Sequence, residues 1–72
     1  MDAKYAKAVE TQKRVFGVNN AQLAKQYARN AKDLRWMEER AKTKGSYNGG
    51  TAEYWGQRAA EFEQVAEELC GS

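Results

Sequence analysis

Apolar residues recur along this chain at spacings of three and four, the period of an amphipathic α-helix. Three segments with this pattern are separated by glycines, at Gly17 and within residues 45–50, and the chain contains no proline. The first segment, about residues 3–16, carries a single stripe made of Tyr5, Ala8, Val9, Gln12 and Phe16. We therefore expect an all-α protein of three helices.

The second segment, about residues 20–44, has a clearly marked start. Asn19 is a favoured N-cap residue, and Gln22, three residues later, completes a capping box. Val18 and Leu23 stand where a hydrophobic staple packs the incoming chain against the first turn. The seam that follows has the alternating spacing of a coiled coil and contains Leu23, Tyr27, Asn30, Leu34, Met37 and Ala41. These signals predict one helix that is roughly 37 Å long.

The third segment, about residues 51–70, begins at Thr51, which is another favoured N-cap residue. Its seam contains Trp55, Ala59, Phe62, Ala66 and Leu69, and is widened by Val65 and Tyr54. Two long helices with matched seams and a short connection predict an antiparallel hairpin. The first helix then either closes a three-helix bundle or docks on a neighbouring chain. Asn30 is the polar member of the seam of the second helix. It either fixes the register through a polar partner or lies at the edge of the seam and faces water.

The length of the chain limits how it can be stabilised. Seventy-two residues make one small helical domain, near the size at which a single core stabilises a fold only marginally. Cys70 is the only cysteine and there is no histidine, so neither a disulfide nor a structural zinc site is expected. Self-association or folding against a partner is the remaining route. A homodimer or higher oligomer fits this expectation.

Several classes of function find no support in the sequence. There is no histidine, no Walker-type phosphate loop, no Gly-x-Ser-x-Gly and no Cys-x-x-Cys, so we predict a non-enzyme without a cofactor or metal. No stretch approaches the roughly 20 apolar residues that span a bilayer. The first ten residues lack the apolar region of a signal peptide. We therefore expect a cytoplasmic protein with a reduced thiol and no membrane partner.

Charge singles out one face of the second helix. The net charge is only +2, but it is unevenly distributed. Residues 1–44 carry eleven Lys/Arg and five Asp/Glu, whereas residues 45–72 carry one Lys/Arg and five Asp/Glu. At about 100° per residue, the face opposite the seam displays Lys25, Arg29, Lys32, Trp36 and Arg40. Arginine and tryptophan are the residues that most often dominate interface energetics, so these side chains form a candidate docking stripe. Tyr47, in the glycine-rich loop, either assists as a contact or belongs to a loop that simply closes the hairpin.

Three functions remain open for this stripe. Small helical chains without catalytic residues are commonly regulators or inhibitors, often encoded by phages and mobile elements, so our leading prediction is a regulator that occupies a surface on a larger protein or complex. The alternative is nucleic acid or a nucleotide, bound through phosphates and stacked bases. A structural homo-oligomer, in which the stripe of one chain meets the glutamates of another, is the third. None of these three functions follows from the stripe if Trp36 is simply buried against the first helix near Phe16.

Overall fold

The computed structural model describes residues 1–71 as three α-helices, with no strand in that range. Helix α1 comprises Ala3–Phe16, α2 comprises Asn20–Lys44 and α3 comprises Ala52–Gly71. The molecule is elongated, with principal extents of 39 × 19 × 18 Å. The prediction of an all-α hairpin with a shorter N-terminal helix is confirmed.

The helix ends follow the capping signals in the sequence. The Asn19 side chain accepts a hydrogen bond from the Gln22 N–H at 2.9 Å, and the Gln22 side chain accepts one from the Asn19 N–H at 2.9 Å. Thr51 Oγ1 likewise accepts from the Tyr54 N–H at 3.2 Å, at the start of α3. Gly17 ends α1 in the left-handed region (φ 65°), which a side chain would disfavour. Local chemistry therefore fixes the boundaries.

Helices α2 and α3 pack closely along most of their length. The buried residues of this interface include Leu23, Leu34, Ala41, Ala59 and Leu69, all of them members of the predicted seams. Ala24 and Ala31 are buried as well, so the contact is wider than the seam of α2 alone. Asn30 and Met37 are only partly buried, which places Asn30 at the margin of the interface.

Helix α1 covers only one end of this hairpin. Tyr5 and Val9 are buried in a cluster with Leu23, Ala24, Tyr27, Val65 and Leu69. Polar contacts tie the same helices together, since the Tyr5 hydroxyl donates to Glu61 Oε1 at 2.7 Å and the Tyr27 hydroxyl donates to Gln12 Oε1 at 3.3 Å. At about 1.5 Å per residue α1 is roughly 21 Å long, too short to reach along all of α2. The bundle therefore has three helices at one end and two at the other.

One predicted core residue of α1 lies outside the core. Phe16 is 72% exposed, contrary to its place in the apolar stripe. It is the last residue of α1, and the left-handed Gly17 turns the chain directly after it. Its ring is therefore left at the rim of a shallow groove beside Val18 and Leu23, instead of between the helices.

Candidate functional site

The predicted docking stripe lies on the exposed face of α2. Its five members are all exposed and cover about 22 Å of the helix: Lys25, Arg29, Lys32, Trp36 and Arg40. Trp36 is 54% exposed. The interpretation in which the first helix covers Trp36 near Phe16 is therefore wrong, because α1 is short and packs at the opposite end of α2.

The Trp36 ring is held by two of the other candidate residues. The Tyr47 ring meets it nearly at right angles (88°), with 5.4 Å between the ring centroids. The Arg40 guanidinium lies over the Trp36 ring, 5.4 Å from its centroid. Edge-to-face aromatic pairs and cation–π contacts are each worth on the order of 1 kcal/mol. Trp36, Arg40 and Tyr47 thus form one unit, which we call the aromatic end.

The loop that carries Tyr47 is fixed by hydrogen bonds. Tyr47 and Gly50 exchange two backbone hydrogen bonds, each of 2.9 Å. Between them Asn48 and Gly49 both have positive φ (49° and 80°), as in a type I′ turn. The Trp55 indole N–H also donates to the Tyr47 carbonyl at 2.8 Å. This loop therefore presents Tyr47 in a defined position.

Gly50 makes that loop geometry sterically accessible. A Cβ at this position would lie 2.6 Å from Trp55 Nε1 and 2.8 Å from Tyr54 Cδ2. Only glycine lets the backbone approach the two rings this closely. The sequence does contain the signal for this turn, since Asn-Gly is the preferred central pair of a type I′ hairpin turn. The contribution of Trp55 to the loop carries no comparable local signal.

Arginine residues on α2 have different roles. Arg35 binds Glu63 of α3 through two hydrogen bonds (3.0 and 2.8 Å) and Glu38 through a third of 3.1 Å, so it ties the hairpin together. Its hydrogen bonds hold the pKa of the Glu63 carboxyl below its usual range. By contrast Arg29 makes no ion pair with any residue in the described range 1–71, and Arg40 contacts only the Trp36 ring there. Their guanidinium groups are therefore available to a partner.

The remaining cations of the stripe lie beside the groove between α2 and α3. Arg29 and Lys32 line one part of it, and Lys25 lines the next part toward the N-terminus of α2. We call these three residues the basic wall. The predicted stripe and Tyr47 thus fall into two groups, an aromatic end in which Arg40 and Tyr47 both contact the Trp36 ring, and a basic wall whose members make no such contacts within residues 1–71.

A second exposed aromatic residue was assigned to the core by the sequence pattern. Tyr54 is 50% exposed, although it had been expected to widen the seam of α3. The Arg58 guanidinium lies 5.8 Å from the centroids of both the Tyr54 and the Phe62 rings. Tyr54 and Arg58 are four residues apart, as Trp36 and Arg40 are, and this spacing brings side chains together on a helix.

Neither a metal-binding cluster nor a membrane-spanning helix is formed by the described residues. Within residues 1–71 there is no group of three or more His, Cys, Asp or Glu side chains placed to hold a metal ion. No helix in that range has the length and apolar character to cross a bilayer. Cys70 is a free, exposed thiol. Comparison with protein-family models, with curated proteins and with solved structures gives no match, so no function is suggested by a relative.

Proposed function

We propose that this protein is a non-enzymatic regulator or inhibitor that binds an acidic surface of a larger protein or complex. The aromatic end supplies the central contact, and the basic wall supplies the charge that attracts the partner. The observation that carries this proposal is the half-exposed Trp36 ring, held between Arg40 and Tyr47. Tryptophan, tyrosine and arginine are the residue types that are most enriched among the contacts that dominate binding energy.

Pre-organisation strengthens the case for the aromatic end. Fixing a mobile side chain at an interface costs about 0.5–1.5 kcal/mol. The Trp36 ring is already restrained by Tyr47, whose backbone is anchored by Gly50 and by the Trp55 indole. Binding therefore loses less side-chain entropy than it would with a freely rotating tryptophan.

The charge of the stripe supports an acidic partner. Lys25, Arg29, Lys32 and Arg40 make no ion pair with the residues in the range 1–71. A row of cations without counter-charges attracts an acidic surface and raises the rate of encounter with it. The contacts that follow are then made by the rings and guanidinium groups at the loop.

Nucleic acid is the rival ligand for the same surface. Stacking of bases requires a free aromatic face, and Arg40 lies over one of the two faces of the Trp36 ring. Four cations could still bind phosphates, in which case the affinity falls steeply as salt rises. We expect titration with DNA, RNA and cyclic nucleotides at low salt to show no binding. Binding with a steep salt dependence would show that this surface binds nucleic acid or a nucleotide instead of an acidic protein.

The test of the proposal compares two variants. The tagged protein is used to capture partners from cells of its native host, as wild type and with Trp36→Ala plus Arg29→Ala. The matched control is Tyr54→Ala, which removes an equally exposed ring from outside the stripe. We expect a partner to be captured by the wild type and the control and lost by the double variant.

Affinity measured with purified partner then gives the sharper answer. We expect Trp36→Ala alone to weaken binding by about tenfold or more, which corresponds to about 1.4 kcal/mol. If the double variant retains every captured partner, or if Tyr54→Ala loses as much affinity as Trp36→Ala, the stripe is not the binding surface.

A further inference from the structure

We infer that the face of the hairpin away from α1 is a self-association surface, on which a second copy of this chain packs. Two adjoining grooves of about 620 and 520 Å³ run along this face, and no residue of α1 lines either of them. Both are lined by Ala28 and Ala66, so they form one continuous groove between α2 and α3. Its apolar floor consists of Ala21, Ala24, Ala28, Ala31, Ala66 and Leu69.

The two walls of this groove carry opposite charges. On the α2 side stands the basic wall of Lys25, Arg29 and Lys32, and on the α3 side stand Glu63 and Glu67. Glu63 already binds Arg35, whereas neither Lys25 nor Glu67 has an ion-pair partner in the described part of the chain. A surface with both signs of charge beside an apolar floor is complementary to another copy of itself.

Symmetry selects how the two copies meet. With a twofold axis parallel to the helices, α2 of one copy lies over α3 of the other and runs antiparallel to it. Lys25 and Glu67 line the same part of the groove, so Lys25 then lies opposite Glu67 of the second copy, twice in the dimer. With the twofold axis across the helices, α2 would lie over α2 and the two basic walls would repel. The first arrangement is the one that the charges favour.

The chain exposes somewhat more surface than a compact monomer of the same mass. A chain of 8.1 kDa exposes 5026 Å². A compact monomer of that mass exposes about 4,500 Å². A second copy that covers the groove and its walls buries on the order of 500 Å² per chain, the low end of specific interfaces. Interfaces of that size are typical of weak association, so we expect a dimer that forms only at high protein concentration.

The weak core gives such a dimer a physical benefit. Leu23 and Val65 are the only large side chains that are fully buried in the described chain. Small domains with so little core are commonly stabilised by self-association. The second copy would cover Ala21, Ala28 and Ala66 together with the basic wall, so it competes with an acidic partner for that wall. Trp36, Arg40 and Tyr47 stay exposed, so the dimer would present two aromatic ends.

The first test places a larger side chain in the groove. Ala28 is exposed in the single chain, so Ala28→Gln enters open space without disturbing the fold. The matched control is Ala6→Gln, at an exposed alanine of α1. By sedimentation equilibrium up to about 500 µM, we expect wild type and control to dimerise and Ala28→Gln to stay monomeric. A wild type that is monomeric throughout, or two variants that behave alike, overturns the proposal.

The second test exchanges charges between the walls. Lys25→Glu should raise the dimer dissociation constant roughly fivefold to tenfold, because two attractive pairs become repulsive. Adding Glu67→Lys should restore dimerisation at low salt. If the double variant is no better than Lys25→Glu, the arrangement of α2 over α3 is wrong. Trp36→Ala alone lies outside the groove and should leave the dimer intact, so the affinity measurement with that single variant is separate from the dimer test.

Discussion

The two ends of the α2–α3 hairpin are stabilised in different ways. At the covered end, α1 places Tyr5 and Val9 against Leu23, Tyr27 and the last turns of α3, and these side chains are buried. At the loop end there is no third helix. There Tyr47 is held by backbone hydrogen bonds and by the Trp55 indole, while Trp36 remains half-exposed.

The two ends also differ in how their aromatic residues are used. Four of its eight aromatic residues lie at the loop end, namely Trp36, Tyr47, Tyr54 and Trp55. If they served only to bury apolar surface, they would lie under α1, where burial of such a ring contributes about 1.5–3 kcal/mol. Trp36 and Tyr54 are exposed there, whereas Tyr47 and Trp55 are partly buried and hold the loop through the indole hydrogen bond.

The largest expected effect is at the covered end. Leu23 is 1% exposed within the core cluster, so Leu23→Ala removes buried methyl groups and leaves a cavity. Such changes lower the free energy of unfolding by about 2–5 kcal/mol, as much as the whole stability of a small domain. We expect this variant to be largely unfolded at 25 °C by circular dichroism.

Trp36→Ala, at the loop end, is the variant to compare with Leu23→Ala at the covered end. Because the Trp36 ring is half-exposed, its removal loses mainly the contacts with Tyr47 and Arg40, and the free energy of unfolding should fall by about 1–2 kcal/mol in urea titrations. Equal losses of unfolding free energy in the two variants would mean that the loop end is as important to folding as the covered end. The proposed difference between the two ends would then be wrong.

An intermediate effect is expected from Gly50→Ala. The added Cβ would lie 2.6 Å from Trp55 Nε1, so either the indole or the turn must move and its hydrogen bond to the Tyr47 carbonyl is lost. Overpacking of this kind lowers the free energy of unfolding by about 1–3 kcal/mol. We also expect altered near-ultraviolet circular dichroism, because Tyr47 shifts against Trp36.

Gly71→Ala is the matched control for the loop variant. A Cβ at Gly71 meets no atom within 4 Å, so this change should leave both the stability and the aromatic spectrum almost unaltered. The same response from both glycine variants would show that the close approach of Gly50 to the rings has no structural importance.

The fold was predictable because its signals are local. The Asn19–Gln22 capping box, the Thr51 cap and the apolar period of each segment depend only on neighbouring residues, and the helices lie where these signals place them. The exposure of Phe16 depends instead on where α1 docks, which is decided by contacts of Tyr5 with residues more than 50 positions away. No periodicity along α1 contains that information.

The candidate site was predictable only in part, for the same physical reason. Helical spacing places Lys25, Trp36 and Arg40 on one face, and all three are exposed there. That Tyr47 would lie against Trp36 depends on the geometry of the loop, which the indole of Trp55 completes from the next helix. Spacing along one helix predicts a shared face but not a contact between elements.

The smallest expected effect concerns the hydroxyl of Tyr5, which links α1 to Glu61 at the covered end. Burial, the hydrogen bond to Glu61 and the negative charge of that carboxylate together raise the pKa of the Tyr5 hydroxyl from 10.0 to about 12. The folded state therefore holds this proton more tightly than the unfolded state does. The resulting stabilisation is fully present below pH 10 and is lost as the pH rises through about 12.

Tyr5→Phe tests whether this hydroxyl links α1 to α3. At neutral pH the lost hydrogen bond should lower the free energy of unfolding by about 0.5–1.5 kcal/mol. Between pH 10 and about 12 the wild type should lose stability more steeply than the variant, so their urea midpoints converge. The control Tyr54→Phe, at a half-exposed ring, should keep the wild-type slope. Parallel slopes for wild type and Tyr5→Phe would show that the contact with Glu61 does not hold α1 in place.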